Sequence, residues 1–244
     1  MTKNLYLNLI LSFIILMIGF KFSSQLNNLW FTRIGNVSSI ILAGLFLLKF
    51  RATALPEKQK RIFKIQLILP IFIGVIGLYL LNYFTLIFVY NFFDWEWTGE
   101  VNRTAKELIE LTLMIILLGI LEEFYFRRIV AQKLLNSKGF SKALWISALI
   151  FGLAHSVTDS GFLSTFLGGL FLGYIYLKTN NLWLTIFTHM EYNLIYFLIS
   201  PIIDNRLSEF NTIKIISFFV VLGLGLLLMF YLIFKKRTEL KTSR

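Results

Sequence analysis

The chain has 244 residues, of which 57% are hydrophobic and 15% are charged, and it contains 26 phenylalanines and no cysteine. This composition excludes an ordinary soluble domain and indicates a polytopic helical membrane protein. The lack of cysteine excludes disulfides, a thiolate zinc site and a cysteine nucleophile. A formal net charge of +11 would favour a nucleic-acid partner in a soluble protein, but the placement of the charges along this chain argues against one.

About eight apolar stretches are long enough to be membrane helices. Their predicted bounds are Leu5–Phe20, Ile34–Lys49, Ile65–Phe93, Glu107 to about Arg128, Ala143–Val157, Phe162–Leu177, Leu182–Ser200 and Thr212–Phe234. A turn containing Gly139 is expected at Asn136–Lys142. No repeat or linker divides the chain. The predicted fold is all-α, a single integral-membrane domain over 1–244 built as a bundle of about eight transmembrane helices.

The basic residues predict the orientation of these helices. With both termini in the cytoplasm, 18 of the 24 lysines and arginines lie on inner segments, several of them in the loop Phe50–Lys64, which contains Pro56. The outer loop Asp94–Lys106 is acidic and carries Trp95 and Trp97. This bias follows the positive-inside rule. It predicts a multi-pass protein of the cell membrane, surrounded by lipid, with both termini cytoplasmic and no nucleic-acid partner.

Two adjacent carboxylates, Glu122 and Glu123, follow the almost wholly apolar run Leu108–Leu121. A carboxylate near the bilayer centre costs about 2.5–3.5 kcal/mol on insertion scales, so both need partners. Residues four apart share a helix face. Three such pairs involve polar groups, including both histidines of the chain: Glu123 with Arg127, Phe151 with His155, and His189 with Asn193. These faces satisfy one another by converging in the bundle interior, which predicts a site there.

Two chemistries fit these side chains. A buried glutamate beside a histidine can hold and deprotonate a water, while a second histidine and an amide can stabilise an oxyanion, which together permit metal-free amide hydrolysis. Alternatively, Glu122, His155 and His189 would hold Zn²⁺ with one position open for water. The chain has no HExxH and no GxSxG motif, which excludes the zincin layout and a serine nucleophile elbow.

Three motifs occur in order on separate predicted helices. Glu122–Arg127 fits EExxxR, Phe151–His155 fits FxxxH, and His189–Asn193 fits HxxxN. In these motifs the chain resembles the CPBP family of intramembrane endopeptidases, which includes CAAX proteases and bacteriocin-processing enzymes and is also labelled Abi. The resemblance covers roughly Leu108–Ser200, inside the motif-bearing helices at 107–200.

The resemblance implies a role for each motif residue. Glu122 and His155 activate the catalytic water, His189 and Asn193 stabilise the tetrahedral intermediate, Glu123 and Arg127 support the site, and Phe151 packs beneath the histidine. It also implies an intramembrane protease whose substrates are peptides or membrane-associated proteins. A glutamate mechanism without a cofactor is favoured over a zinc mechanism. Glu191 lies off the motif face and receives no role.

Three other interpretations stay open. The Glu123–Arg127 spacing alone is typical of a structural ion pair, and a single membrane histidine is often a packing residue. A non-catalytic scaffold, a regulator or a bacteriocin self-immunity protein of the same fold is the main alternative function. A proton-coupled transporter would also use buried Glu and His groups, but the chain lacks the paired inverted halves typical of transporters.

Overall fold

A computed structural model describes residues 3–49, 62–94, 105–156, 161–204 and 212–239 of the chain. These residues form helices and turns, with no β-strand among them. In chain order the helical elements are α1 (Lys3–Ser24), α2 (Leu29–Lys49), a 3₁₀ turn (Ile65–Leu67), α3 (Ile68–Phe92), α4 (Ala105–Glu123), a π-helical segment (Phe124–Ala131), α5 (Gln132–His155), α6 (Phe162–Thr179), α7 (Leu182–Asp204) and α8 (Ile213–Glu239). The predicted all-α membrane fold is confirmed.

Five helices within the described residues are long and apolar enough to cross a membrane. They are Asn4–Ser24, Trp30–Lys49, Ile65–Phe92, Phe162–Thr179 and Ile213–Glu239. The predicted number of about eight spans is therefore not confirmed. The other three predicted spans lie on α4, α5 and α7, which carry most of the motif residues.

Several predicted features lie outside the described residues. They include most of the loops Phe50–Lys64 and Asp94–Lys106, with Pro56, Trp95 and Trp97, and the predicted end of the fifth span at Val157. The cytoplasmic placement of both termini stays a prediction.

An asparagine caps one helix, and a glycine interrupts another. Asn28 caps α2, because its Oδ1 accepts hydrogen bonds from the backbone N–H groups of Trp30 and Phe31 at 2.9 and 3.2 Å. Gly139 interrupts α5 with φ 80° and ψ 175°, a backbone conformation that favours glycine. The turn predicted at Asn136–Lys142 is confirmed at this residue.

The chain divides into two compact units. The first unit comprises Met1–Arg61 and Leu113–Ile186, and the second comprises Ile62–Thr112 and Phe187–Arg244. The single membrane domain predicted over 1–244 stays a prediction.

In the first unit, α1 packs on α2, α5 packs on α6, and the π-helical segment contacts both α2 and α6. Leu16, Leu47 and Val130 are among the fully buried side chains of its apolar core. At the α5–α6 contact, a Cβ added to Gly169 would lie 3.0 Å from the Cα of Ala148. The two helices therefore approach closely through a small residue, as membrane helices commonly do.

The second unit is built on the contact between α3 and α8. Its core contains Tyr79, Tyr83 and Phe84. Gly77 of α3 and Gly223 of α8 face each other so closely that a Cβ on either would lie 2.9 or 2.8 Å from the carbonyl oxygen of the other. Backbone contact at this crossing requires glycine on both helices.

Candidate active site

The first unit brings together five of the predicted site residues. They are Glu122, Glu123, Arg127, Phe151 and His155, contributed by the end of α4, the π-helical segment and the end of α5. The stretch between Glu123 and Phe151 contains no proline and no glycine before Gly139. The helical run therefore continues through the π-helical segment and returns along α5, which carries His155 back to Glu122.

Glu123 and Arg127 form a buried ion pair. Arg127 Nε lies 3.2 Å from Glu123 Oε2, and the two side chains are only 1% and 0% exposed. The spacing of four residues that predicted this pair is confirmed. The Arg127 guanidinium also lies 4.5 Å from the ring centroid of Phe151, a distance at which a cation and an aromatic face attract each other. Removing one partner of such a buried pair typically costs about 3–5 kcal/mol.

The backbone of α5 and two aromatic rings fix the orientation of His155. Its Nδ1 lies 2.9 Å from the carbonyl oxygen of Phe151. Since a carbonyl oxygen only accepts, Nδ1 carries the proton of this hydrogen bond. The rings of Phe151 and His155 are 4.5 Å apart, and Phe126 packs edge-on against Phe151 at 4.9 Å. Phe151 therefore packs against the histidine, as the resemblance implied, and Nε2 is left to face the site.

Glu122 is the group that faces Nε2. The distance from His155 Nε2 to Glu122 Oε1 is 3.7 Å, and the side chains are 13% and 15% exposed. Glu122 therefore differs from its neighbour Glu123, which is fully buried and bound to an arginine of its own helical run. A partly exposed carboxylate next to an oriented imidazole can accept a proton from a water held against both groups.

Sequence reasoning missed the contacts of Tyr125, which follows the two glutamates. Its hydroxyl lies 2.8 Å from Ser12 Oγ on α1, and Ser12 Oγ in turn donates to the carbonyl oxygen of Ala43 on α2 at 2.9 Å. The tyrosine lies in the π-helical segment, and such widened turns are frequent at functional sites. The available signal was a single serine among apolar residues near the middle of α1.

The two remaining predicted site residues, His189 and Asn193, lie four residues apart on α7 in the second unit. His189 is buried and Asn193 is half-buried. Between them, the hydroxyl of Tyr192 accepts a hydrogen bond from Asn82 of α3 at 3.0 Å. Oε2 of Glu191 is buried without a hydrogen-bond partner among the described residues. The contact from Asn82 is a second feature that no sequence motif indicated.

The alternative zinc site would use the side chains of Glu122, His155 and His189 as its donor groups. Within the described ranges, no group of three or more His, Asp or Glu side chains is arranged to hold a metal ion. The predicted preference for a metal-free mechanism stays a prediction that chelation can test.

A family model described as type II CAAX prenyl endopeptidase Rce1-like matches residues 104–195. The motif-bearing segment is similar to this family. The matched segment contains every predicted site residue, from Glu122 to Asn193. The resemblance to CPBP endopeptidases is therefore confirmed for this part of the chain.

One curated relative matches over a similar length. A protein of Bacillus subtilis (strain 168) named "Putative membrane peptidase YdiL" is 30% identical over 100 residues, which is 39% of this chain and 41% of that protein. The chain thus spans about two fifths of the length of the curated relative it matches. No solved structure matches the chain.

Proposed function

We propose that this chain is an intramembrane endopeptidase that hydrolyses peptide bonds with a water activated by Glu122 and His155. The observation that carries the proposal is the 3.7 Å approach of Glu122 Oε1 to His155 Nε2. The other ring nitrogen of His155, Nδ1, is hydrogen-bonded to the carbonyl oxygen of Phe151, and this bond fixes the orientation of the imidazole. The Rce1-like match, which covers these three residues, supports the same activity.

In the proposed first step, a water bound by Glu122 and His155 is deprotonated as it attacks. With its proton on Nδ1, the neutral imidazole offers Nε2 as an acceptor for one hydrogen of the water. The other proton passes to the Glu122 carboxylate while the water oxygen bonds to the carbonyl carbon of the peptide. In the second step the C–N bond breaks, and the proton held by Glu122 passes to the leaving amine. The products are a carboxylic acid and an amine, and the carboxylate is restored.

His189 and Asn193 supply the oxyanion donors in this proposal. The support for this role is their spacing of four residues on α7 and their place within the segment that the Rce1-like family model matches. An imidazole N–H and an amide N–H₂ are both hydrogen-bond donors. Donors held ready where negative charge develops stabilise a tetrahedral intermediate more than the ground-state carbonyl, so they raise the rate of the chemical step.

Glu123 and Arg127 support the site without taking part in proton transfer. Their charges cancel inside the helical run that carries Glu122, and the guanidinium packs on the ring of Phe151, which orients His155. The Glu123–Arg127 pair therefore links the helical run that carries Glu122 to the Phe151 ring that orients His155. This supporting role agrees with the burial of both side chains.

The proposed substrates are membrane-associated peptides or protein tails. The matched family model is described as a prenyl endopeptidase family, so a prenylated peptide with a C-terminal tail is the first substrate to test. An unprenylated peptide of the same sequence is its matched control. Comparing membranes that carry the wild type with membranes that carry Glu122→Ala, by quantitative proteomics, would identify natural substrates as proteins that accumulate uncut.

The test of catalysis uses purified protein in lipid vesicles and four variants. Glu122→Ala and His155→Ala should each remove most of the cleavage activity, and the double variant should lose little more, because the two side chains act on one water. Glu110→Gln is the matched control, since it removes a half-buried carboxylate from the same helix, three turns before the site. It should keep near wild-type activity.

Two outcomes would contradict the proposal. Cleavage by Glu122→Ala at the wild-type rate would exclude this carboxylate as the general base. Loss of activity that is simply additive in the double variant would mean that Glu122 and His155 serve different steps. A wild-type protein that binds peptides but cleaves none, over a range of prenylated and unprenylated sequences, would favour the non-catalytic alternative.

A further inference from the structure

A buried hydrogen-bond chain connects the segment next to Glu122 and Glu123 with both N-terminal helices. Ser12 and Tyr125 are 0% and 1% exposed. Ser12 Oγ donates its proton to the Ala43 carbonyl oxygen at 2.9 Å. A serine hydroxyl has one proton, so in the 2.8 Å contact between the two hydroxyls Tyr125 is the donor. The chain therefore runs in one direction, from Tyr125 through Ser12 to the backbone of α2.

The position of Tyr125 makes this chain relevant to the site. Tyr125 lies three residues after Glu122 and two after Glu123, in the first turn of the π-helical segment. Its ring packs against α2, where a Cβ added to Gly44 would lie 3.7 Å from Tyr125 Cδ2. A widened helix is rare in proteins and occurs mostly as a single turn inside an α-helix. Contacts from outside the segment therefore have a large part in holding its geometry.

We propose that Ser12 is a positioning residue, which holds Glu122 at its distance from His155 by anchoring Tyr125 to α1 and α2. The inference rests on the proposed function, because it assigns Ser12 an effect on the same chemical step. Ser12 and Ala43 lie outside the Rce1-like segment at 104–195. A part of the chain that the family match does not cover thus contributes to the geometry of the site.

A purely structural role for this chain predicts different results. Loss of a buried hydrogen bond lowers stability by about 0.5–1.5 kcal/mol wherever it occurs. A positioning role also requires a lower turnover number with little change in KM, since misplacing a catalytic group acts mainly on the transition state. The two roles are therefore separated by kinetics at a temperature well below unfolding.

Three substitutions test the contribution of the two hydroxyl groups. Ser12→Ala removes both hydrogen bonds, Tyr125→Phe removes the donor and keeps the ring, and Ser12→Thr keeps a hydroxyl as the conservative rescue. We expect Ser12→Ala and Tyr125→Phe to lower kcat about tenfold with KM within about twofold of the wild type. The double variant should be no slower than Ser12→Ala, and Ser12→Thr should restore most of the turnover.

Tyr83→Phe is the matched control. Tyr83 is also 1% exposed, and its hydroxyl donates to the carbonyl oxygen of Ser200 at 3.5 Å in the second unit. This variant removes an equally buried phenol hydroxyl from the second unit. It should lower the unfolding temperature as much as Tyr125→Phe does while leaving kcat unchanged.

A second readout does not require activity. Hydrogen–deuterium exchange of peptides covering residues 121–131 should speed up in Ser12→Ala and Tyr125→Phe, and should return to the wild-type rate in Ser12→Thr. If the wild type is active, and the two variants exchange faster but keep the wild-type kcat, the positioning role is wrong. Unchanged exchange in both variants would overturn the anchoring role as well.

The same experiment separates this inference from the proposed function. If the wild type cleaves no peptide and Ser12→Ala still speeds exchange over residues 121–131, the proposed function is wrong while the anchoring of Tyr125 stands. If the wild type is active and both Ser12→Ala and Tyr125→Phe match it in kcat and exchange, the proposed function stands and the inference is wrong.

Discussion

Two adjacent carboxylates of one helix meet different surroundings in this protein. Glu123 points to Arg127, which lies four residues further along the helical run, and both side chains are buried. Glu122, one residue earlier, lies on another face and meets His155 of α5. A rotation of about 100° between successive helical residues accounts for this division. The helix therefore places one carboxylate in an internal ion pair and turns the other toward His155.

Asn193 is the best residue for testing the oxyanion role. Asn193→Ala should lower turnover about 10²–10³-fold, the usual effect of removing one oxyanion donor, while KM changes less. Asn193→Asp is the informative partner variant, because a carboxylate is a good metal ligand but places negative charge beside an oxyanion. Steady-state kinetics should show Asn193→Asp to be as slow as Asn193→Ala. An active Asn193→Asp variant would contradict the donor role.

Metal dependence is tested directly on the purified protein. A metal-free mechanism predicts that prolonged chelation, followed by removal of the chelator, leaves the cleavage rate unchanged. The measurement should include zinc analysis of the protein before and after treatment. Abolition of cleavage that zinc alone restores would make His155 and His189 metal ligands, and the role of Glu122 as a general base without metal would be wrong.

Helical geometry explains which contacts of the site could be predicted from the sequence. The contacts of Glu123 with Arg127 and of Phe151 with His155 lie within single turns, so a spacing of four residues is enough to predict them. The contact of Ser12 with Tyr125 joins residues that are 113 apart. One serine on an apolar helix has many potential partners, and the packing of the helices determines which of them it contacts. No local pattern contains that information.

At the scale of helices, the α3–α8 crossing allows a sharp stability test. Gly223→Ala places a Cβ within 2.8 Å of the Gly77 carbonyl oxygen and of the Leu81 backbone nitrogen. Backbone atoms cannot move aside as a flexible side chain can, so we expect a loss of about 1–3 kcal/mol, typical of overpacking. Thermal unfolding in detergent would measure it.

Gly225→Ala is the matched control for this test. It makes the same chemical change two residues further along α8, where a Cβ would meet nothing within 4 Å. Its unfolding temperature should stay close to that of the wild type. Equal destabilisation by both variants would mean that the loss comes from the helix itself and that the crossing with α3 is not the cause.

Helix positions were more predictable than helix type. The starts of α6 at Phe162 and of α7 at Leu182 agree with the predicted bounds, because short polar connections precede both. The π-helical segment at 124–131 was not predicted. Its residues suit an α-helix equally well. The segment contacts α1 and α2, and contacts between residues so far apart in sequence leave no local pattern.

At the scale of the molecule, charge placement predicts orientation across the membrane. Reporter fusions after Lys64 and after Lys106 should report opposite sides, with the first in the cytoplasm, because the basic residues concentrate in segments assigned to the inner side. Paired alkaline phosphatase and fluorescent-protein reporters would measure this in cells. A cytoplasmic signal from the fusion after Lys106 would contradict the assignment.

The internal ion pair has a consequence for how the chain enters the membrane during synthesis. Glu123 and Arg127 belong to one continuous helical run, so they can neutralise each other as soon as that helix forms. Two separate charges would each cost about 2.5–3.5 kcal/mol on insertion scales, whereas a neutral pair presents no net charge to the translocation machinery. Glu122 meets His155, which is translated 33 residues later. The Glu123–Arg127 ion pair can therefore form in the nascent chain before the contact between Glu122 and His155 does.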